Sequence, residues 1–344
     1  MVRVLVIEDS SILQNRMKHI LRSEPEILIV GVAGNGYTAI EMIPRIKPDL
    51  VLVDIELQQA DIFQTTRKIL KFHRIPILIA SADRPSGEIA ASFKAIEVGA
   101  VALVQKPINP DSTDFKSRKT RLVETIKLML QVNVVRHGLS KSLTPYRVET
   151  SKKRNEITHI VAIGASTGAP PVIASILAGL PENFPMPILI VQHISPGFVH
   201  GFADWLNRVS RIPVSVAANL ENIMNGRIYL APDKYHMGVD QFAHIKLSSE
   251  PPEFGLRPTV SRLFHSVNSV YGDKAVGILL TGMGRDGAAE LKQMRDSGAL
   301  TIAQNEKTCV VYGMPGEAVK INAAKRILPP EGIVQALRDY ARGV

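Results

Sequence analysis

Cysteine is nearly missing from this 344-residue chain, which contains Cys309 and no other. A single cysteine cannot close an internal disulfide, so a reducing compartment is indicated. We expect Cys309 to be a small buried side chain rather than a reactive thiol, because no basic neighbour is evident. A run of about 18 apolar residues is also missing, which argues against a membrane span. The start, Met1 to Asp9, turns acidic too soon for a signal peptide, so we expect a cytoplasmic protein.

Aromatic residues are scarce as well, at 5% of the sequence, and this affects how the positive charge is interpreted. The net charge is +9, and much of the excess lies in two clusters: Lys116, Arg118, Lys119 and Arg121, then Lys141, Arg147, Lys152, Lys153 and Arg154. Attraction to nucleic acid or to acidic protein surfaces is one interpretation. Because few aromatics and no recognition-helix pattern accompany these clusters, we expect a solvated connector and no nucleic-acid binding.

The chain is long enough for about two domains of the usual size, and its hydrophobic content of 45% is typical of a globular protein. Across residues 1–130, five apolar strand-like runs alternate with five helical stretches. That alternation predicts a doubly wound parallel sheet, whose sites lie at the carboxyl ends of the strands. Polar side chains fall at those ends: Glu8, Asp9, Asp54, Ser81 and Lys106.

These side chains suit reversible phosphorylation of an aspartate. Three acids at one edge repel one another, so a hard cation such as Mg²⁺ is needed to hold them together, and Asp54 is then the nucleophile toward a phosphoryl donor. Lys106 and Ser81 can bind the phosphoryl oxygens. The alternative, that the acids are merely solvated loop residues, is disfavoured because all of these groups fall at strand ends.

This segment resembles, over its whole length, the receiver domain of two-component response regulators. The resemblance implies a role for each polar residue: the phosphoacceptor Asp54, the metal-site acids Glu8 and Asp9, the switch hydroxyl Ser81 and the lysine Lys106. It also implies that a histidine kinase is the phosphodonor. The loop after the phosphoacceptor departs from the pattern, because many receivers have Met-Pro and then Asp-Gly where this chain reads IELQQADI.

A linker is predicted at residues 131–156, which carry glycine, proline and basic residues and lack a sustained apolar period. Strand and helix alternation then resumes, so we expect a second α/β domain at residues 157–344. It opens with an apolar run that ends in a small-residue turn, in which Ser166 lies between Gly164 and Gly168. Such a turn from strand to helix presents a nucleophile, and amides of the following helix would face developing negative charge.

The role of Ser166 depends on partners elsewhere, since Gly-rich turns after strands bind dinucleotides at least as often as they hold nucleophiles. A dinucleotide fingerprint is disfavoured because its middle glycine would fall on Ser166. His193 follows a buried-strand pattern and can act as a general base, with a purely structural role as the alternative. Asp286 follows another apolar run and can either orient the imidazole or cap the helix that begins near Gly287. A serine, a histidine and an aspartate at three strand ends together favour a hydrolase triad.

The second domain resembles the catalytic domain of the chemotaxis protein-glutamate methylesterases, the CheB family. Four motifs carry the resemblance in order: GASTG, VQH followed closely by PGF, TGMGRDG and VVYGMP. The resemblance implies that Ser166 is the nucleophile, His193 the base and Asp286 its orienting acid. Backbone amides near His193 and Met283 are the candidates for stabilising the oxyanion.

Two positions depart from that family's pattern. Ser261 stands where family members tend to have an aspartate, and Gly316 stands where they tend to have an arginine. Neither is a triad position, so we expect substrate preference or efficiency to differ rather than the chemistry.

The resemblance implies hydrolysis of methyl esters on glutamate side chains of methylated chemoreceptors, with glutamine deamidation in some members and no cofactor for catalysis. It also implies that the unphosphorylated receiver covers the active site and that phosphorylation of Asp54 weakens that interface. Two other classes stay open: a phosphorylation-dependent interaction protein with little esterase activity, and a serine esterase with a non-receptor substrate. The expected architecture is two doubly wound α/β domains, flavodoxin-like and then Rossmann-like.

Overall fold

The computed structural model describes residues 1–57, 59–82, 86–129 and 158–343. The chain divides into two compact units, Met1–Arg136 and His137–Val344. The linker expected at residues 131–156 lies outside the described residues, so its bounds stay a prediction. None of the described helices is long and apolar enough to cross a membrane.

The first unit contains a five-stranded sheet in which every pairing is parallel. Its strands are β1 (Val2–Ile7), β2 (Ile27–Ala33), β3 (Leu50–Asp54), β4 (Ile77–Ser81) and β5 (Ala102–Gln105). Its helices are α1 (Ser11–Arg22), α2 (Gly36–Ile46), α3 (Gln59–Phe72), α4 (Ser86–Glu97) and α5 (Phe115–Leu128). The strand order β2-β1-β3-β4-β5 is that of a flavodoxin-like doubly wound sheet, as predicted.

Burial on both faces explains why these apolar runs become strands. Every residue of β3 and of β4 is buried, including the polar residues Asp54 and Ser81 that end them. Parallel sheets of this kind need near-continuous apolar strands, because helices cover their faces. The polar strand ends are therefore held at one edge of the sheet.

Helix α5 corrects one expectation from the sequence. It begins at Phe115, so the first basic cluster lies on this helix and not in the connector that the sequence had suggested. The early turns of this helix lack an apolar period and carry partly exposed ion pairs. Lys119 Nζ lies 3.2 Å from Glu24 Oε1 at the end of α1, a tertiary contact that sequence periodicity does not contain.

The second unit contains a seven-stranded sheet, again with every pairing parallel. Its strands are β6 (Ile160–Ala165), β7 (Ile188–Gln192), β8 (Val214–Val216), β9 (Ile228–Leu230), β12 (Ala275–Leu279), β13 (Leu300–Gln304) and β14 (Arg326–Leu328). Its helices are α6 (Pro170–Gly179), α7 (Val199–Val209), α8 (Val260–Tyr271), α9 (Ala288–Asp296), α10 (Met314–Lys320) and α11 (Pro330–Ala341). An antiparallel hairpin of β10 (His236–Val239) and β11 (Ile245–Ser248) completes it.

The strand order β14-β13-β12-β6-β7-β9-β8 places β6 at the point where the topology reverses. The chain first builds outward from β6 through β7, and later returns to build through β12 on the other side. Ligands bind at such switch points, outside the carboxyl ends of the strands. The ends of β7, β6 and β12 therefore form the place where a site is expected.

Candidate active and phosphoacceptor sites

The three residues of the expected triad lie at the carboxyl ends of neighbouring strands. Ser166 follows β6, His193 follows β7, and Asp286 lies in the loop after β12. The backbone N–H of His193 donates to Ala165 O at 2.9 Å, which sets the ends of β6 and β7 side by side. His193 Nε2 lies 2.9 Å from Asp286 Oδ2, across the end of β6. The fold therefore brings together strand ends that the sequence gives only as separate apolar runs.

The turn that carries Ser166 is tightly fixed by its backbone. The Ser166 N–H donates to Thr281 O at 3.1 Å, and Gln192 Nε2 donates to Ser166 O at 2.9 Å. Gly168 has φ +78°, and a Cβ there would lie 2.3 Å from Val310 Cβ. Only glycine fits such a position, because the left-handed backbone and the close neighbour both exclude a side chain.

The helix after Ser166 has fewer free backbone N–H groups at its N-terminus than a helix usually provides. Helix α6 begins with Pro170 and Pro171, and proline has no N–H to donate. An anion at this helix terminus would therefore lack two of the usual donors. The two prolines weigh against a phosphate-binding turn, and they also leave α6 fewer amides for an oxyanion than the sequence predicted.

Asp286 caps a helix, but not the one considered from the sequence. Helix α9 has Gly287 at its N-cap in the left-handed conformation, without a side-chain cap. The Asp286 carboxylate instead accepts from the backbone N–H groups of Val260 at 2.7 Å and Ser261 at 2.9 Å, which begin α8. Thr259, the N-cap of α8, supplies no capping bond because its Oγ1 lies 3.1 Å from His236 Nδ1.

The hydrogen bonds around Asp286 keep it ionised in the protein interior. Burial alone would raise the pKa of this carboxyl, but the bonds from His193, Ser261 and Val260 outweigh it and hold the pKa below its usual value. An ionised Asp286 accepts hydrogen bonds and donates none, so the His193 nitrogen facing it, Nε2, carries the proton. The other ring nitrogen, Nδ1, is then free to act as the base.

Backbone amides near the site differ in their availability to an oxyanion. The His193 N–H itself donates to Ala165 O and is therefore not available. Among the described residues, the Met283 N–H has no intramolecular partner, and the Met283 side chain is 49% exposed. The preceding residue, Gly282, packs against Ser166, since a Cβ on Gly282 would lie 2.5 Å from Ser166 Cβ. The Met283 amide therefore stays a candidate for the oxyanion, and we propose it for that role.

Gln192 and Ser261 both contact the expected triad; Gln192 was not predicted as a functional residue, and Ser261 was noted only as a departure from the family's pattern. Gln192 Nε2 donates to both Ser166 O and His193 O, each at 2.9 Å, and so ties the nucleophile turn to the base. Ser261 Oγ lies 2.7 Å from Asp286 Oδ1. A polar residue at the end of a buried apolar run was the available signal for Gln192. For Ser261 the departure from the family's pattern was the signal, but its contact with Asp286 depends on the packing of α8 and was not predicted.

The first unit gathers the predicted phosphoacceptor residues at its sheet edge. Ligand oxygens of Glu8, Asp9 and Asp54 all lie within 4.8 Å of one another. Lys106 Nζ lies 2.9 Å from Glu8 Oε2 and 2.5 Å from Asp54 Oδ2. Ser81 is buried at the end of β4, and its hydroxyl donates to the neighbouring Ala82 O at 3.0 Å.

This cluster suits a hard divalent cation. Burial, together with the adjacent Asp54, raises the pKa of Glu8 above its ordinary value. Carboxylates crowded in this way are stabilised by a second cation besides Lys106, and oxygen donors are the ligands that Mg²⁺ prefers. Of the altered loop, Gln58 lies outside the described residues, while the Glu56 N–H donates to Asp54 Oδ1 at 3.0 Å.

Comparison with known proteins agrees with both sites. Residues 161–337 match the family model of the CheB methylesterase, and residues 4–114 match that of the response regulator receiver domain. A protein-glutamate methylesterase/protein-glutamine glutaminase of Syntrophus aciditrophicus is 46% identical, with 100% of this chain and 99% of the relative covered. A protein of the same name from Geobacter metallireducens is 40% identical, with 99% of each chain covered.

Among solved structures, the catalytic domain of the Thermotoga maritima CheB methylesterase matches with a TM-score of 0.52 and 34% identity. The match covers 54% of this chain and 98% of that domain. The second unit therefore has the fold of a CheB catalytic domain, and a receiver domain precedes it. By its sequence over the full length, and by the fold of its second unit, this chain belongs to the CheB methylesterase family.

Proposed function

We infer that this chain hydrolyses methyl esters on glutamate side chains of methylated chemoreceptors, with Ser166 as the nucleophile, His193 as the base and Asp286 as the acid that orients it. The contact of His193 Nε2 with Asp286 Oδ2, at 2.9 Å beside the Ser166 turn, carries this proposal. The substrate class is supported by the names of the relatives, which are protein-glutamate methylesterases.

The first half of the reaction forms an acyl-enzyme. As Ser166 Oγ attacks the ester carbonyl, His193 Nδ1 takes the hydroxyl proton, and the positive imidazolium is stabilised by Asp286. The C–O bond to the methoxy group then breaks, and the imidazolium returns the proton so that methanol leaves. The Met283 amide is the proposed donor to the oxyanion in both tetrahedral intermediates.

The second half releases the product by hydrolysis. His193 Nδ1 takes a proton from water as the water oxygen attacks the acyl carbon, and the bond between the acyl carbon and Ser166 Oγ then breaks as the imidazolium returns the proton to Oγ. The receptor side chain is released as a glutamic acid, which loses its proton to solvent and becomes the carboxylate. An amide passes through the same kind of intermediate, so we propose glutamine deamidation at this site too, with ammonia as the leaving group; the relatives are also named glutaminases.

Phosphorylation of Asp54 is the proposed regulatory step. A carboxylate oxygen of Asp54 forms a bond to phosphorus while the P–N bond of a phosphohistidine on the kinase breaks. Glu8, Asp9 and Asp54 would hold Mg²⁺, which would neutralise charge on the transferring group. Lys106 and Ser81 are proposed to bind the phosphoryl oxygens of the product. Because the partners are cytoplasmic signalling proteins in this proposal, we place the chain in the cytoplasm.

Methanol release from methylated receptor, with and without a phosphodonor, tests the proposed function. The proposal expects methanol from the receptor and a faster rate with the phosphodonor. Equal activity on small methyl esters and on receptor would favour a general esterase instead. A protein that releases no methanol and does not react at Ser166 with a fluorophosphonate probe would instead be a phosphorylation-dependent interaction protein.

A further inference from the structure

The carboxylate of Glu290 is linked to Asp286 by the hydroxyl of Ser261, which contacts both. Ser261 Oγ lies 2.7 Å from Asp286 Oδ1 and also 2.7 Å from Glu290 Oε2. The Gly287 N–H donates to the same hydroxyl oxygen at 3.1 Å. Ser261 is 6% exposed, near the start of α8, and Glu290 lies in the first turn of α9. The contacts form a continuous chain from Glu290 to His193.

The two oxygens of Asp286 are held by different groups. Oδ1 accepts from the N–H and the hydroxyl of Ser261, while Oδ2 accepts from the Val260 N–H and from His193 Nε2. Fixing Oδ1 on one side sets the rotation of the carboxylate and so aims Oδ2 at the imidazole. The N–H groups are supplied by the helix backbone, so the Ser261 hydroxyl is the one side-chain donor to Oδ1 among the described residues.

A hydroxyl has a single proton to donate, and here two carboxylates lie within reach of it. Asp286 is held below its usual pKa partly by the bond from Ser261, so it remains an acceptor. The Glu290 carboxylate is therefore a competitor for the same proton. When the Ser261 hydroxyl donates its proton to Glu290, Asp286 Oδ1 loses that hydrogen bond.

We propose that Ser261 is a positioning residue of the triad, whose hydroxyl orients Asp286 toward His193, and that Glu290 competes for that hydroxyl. This inference rests on the proposed function. Ser261 contacts neither Ser166 nor His193. A substitution at Ser261 on α8 would therefore act through Asp286, in the loop after β12.

The Ser261→Ala variant tests the proposal in the full-length protein. A hydrogen bond to a charged group corresponds to a rate loss of about ten- to a hundredfold when it is removed, so kcat for methanol release falls by that factor while KM is unchanged. Ser261→Thr keeps the hydroxyl and restores most of kcat. The matched control is Ser266→Ala on the same helix, whose hydroxyl binds the Val239 N–H and Leu263 O away from the site and whose loss leaves kcat unchanged.

A double-mutant cycle with Asp286→Asn separates positioning from general destabilisation. If Ser261 acts through Asp286, Ser261→Ala lowers kcat in the wild type but has no further effect in the Asp286→Asn background. Equal effects in the two backgrounds would overturn the proposal. Glu290→Ala removes the competing acceptor, so its kcat stays at or above that of the wild type, and a fall to the Ser261→Ala level would contradict the competition.

Failure of this inference is distinguishable from failure of the proposed function. If the wild-type protein releases no methanol from methylated receptor, the proposed function is wrong. If the wild type is active and Ser261→Ala retains the kcat of the Ser266→Ala control, the triad stands and the positioning role is wrong.

Discussion

His193 contacts Asp286 through Nε2, which lies 2.9 Å from Asp286 Oδ2, so Nδ1 is the ring nitrogen that we propose as the base toward Ser166. The same carboxylate caps helix α8 through the N–H groups of Val260 and Ser261. Asp286 therefore has two partners at once, the imidazole of His193 and the N-terminus of helix α8. Variants at this position are expected to alter catalysis and stability together.

Replacing the nucleophile should nearly abolish the reaction. In Ser166→Ala no hydroxyl remains to attack the ester, and methanol release falls toward the residual rate of about 10³- to 10⁴-fold over water that binding and oxyanion stabilisation provide. The measurement is methanol release from methylated receptor. Ser269→Ala, which removes an exposed hydroxyl from α8, is the control and should match the wild type. A Ser166→Ala protein as fast as this control would disprove the triad.

Asp286→Asn should impair the base without changing the shape of the side chain. The NH₂ group of the new side-chain amide would face one of the donors that now bind the carboxylate. His193 would then lose the negative charge that stabilises its imidazolium, and its tautomer would no longer be fixed. On the template of the serine proteases, kcat falls by about 10⁴-fold. Full activity in this variant would show that His193 is oriented by another group.

The same variant changes how stability depends on pH. Because the pKa of Asp286 is lowered in the folded state, the unfolded chain takes up its proton first as the pH falls. The stability from its ionisation is present above the unfolded pKa of about 3.9 and is lost as the pH falls through the lower, folded value. Denaturant unfolding of the second unit between neutral and acidic pH should therefore lose more stability in the wild type than in Asp286→Asn.

Gly282→Ala should disturb the nucleophile directly. The added Cβ would lie 2.5 Å from Ser166 Cβ and 2.6 Å from Met314 Sδ, so the serine turn has to shift. Overpacking of this kind lowers the free energy of unfolding by about 1–3 kcal/mol. The displacement of Ser166 should lower kcat as well. Gly34→Ala, where nothing lies within 4 Å of the new Cβ, is the control for both measurements. Unchanged kcat in the Gly282→Ala protein would mean that the turn tolerates the displacement.

Asp54→Asn should remove stimulation by a phosphodonor and leave the basal rate of methanol release intact. The amide cannot form the acyl phosphate, although it can stay close to Lys106, which now lies 2.5 Å from Asp54 Oδ2. Asp111→Asn, at an exposed acid in the same unit, should keep the stimulation. Removal of divalent cations by a chelator should abolish stimulation in the wild type, and stimulation that survives both treatments would refute phosphorylation at this site.

Cys309 should be inert to thiol reagents in the folded protein. Its side chain is 2% exposed, and burial raises the pKa of the thiol to about 12, so almost no thiolate exists near neutral pH. Iodoacetamide at mildly alkaline pH should leave the native protein unlabelled and fully active, and should label it after unfolding in denaturant. Rapid labelling of the native protein would contradict the buried position.

Much of the site follows from the order of residues along the chain. Buried parallel strands have near-continuous apolar sequences, and the polar residue that ends each run can be identified without a structure. For this reason Ser166, His193 and Asp54 could be placed at strand ends, and the alternation of elements predicted two doubly wound sheets, as found. The short strands β8 and β14 and the hairpin of β10 and β11 were not predicted, because their few residues do not lie in a longer apolar run.

The tertiary structure decided which groups meet. The sequence offered Asp286 as the cap of the helix next to it, yet its carboxylate caps α8, whose first residues lie 26 and 25 positions away. Asp286 caps α8 because α8 packs beside β6, and because the Thr259 hydroxyl contacts His236 and does not cap the helix. Local patterns do not encode such contacts, because they arise only when distant segments are packed together. The sequence by itself therefore determined the chemical groups and the strand ends that carry them, whereas packing determined the hydrogen bonds that orient them.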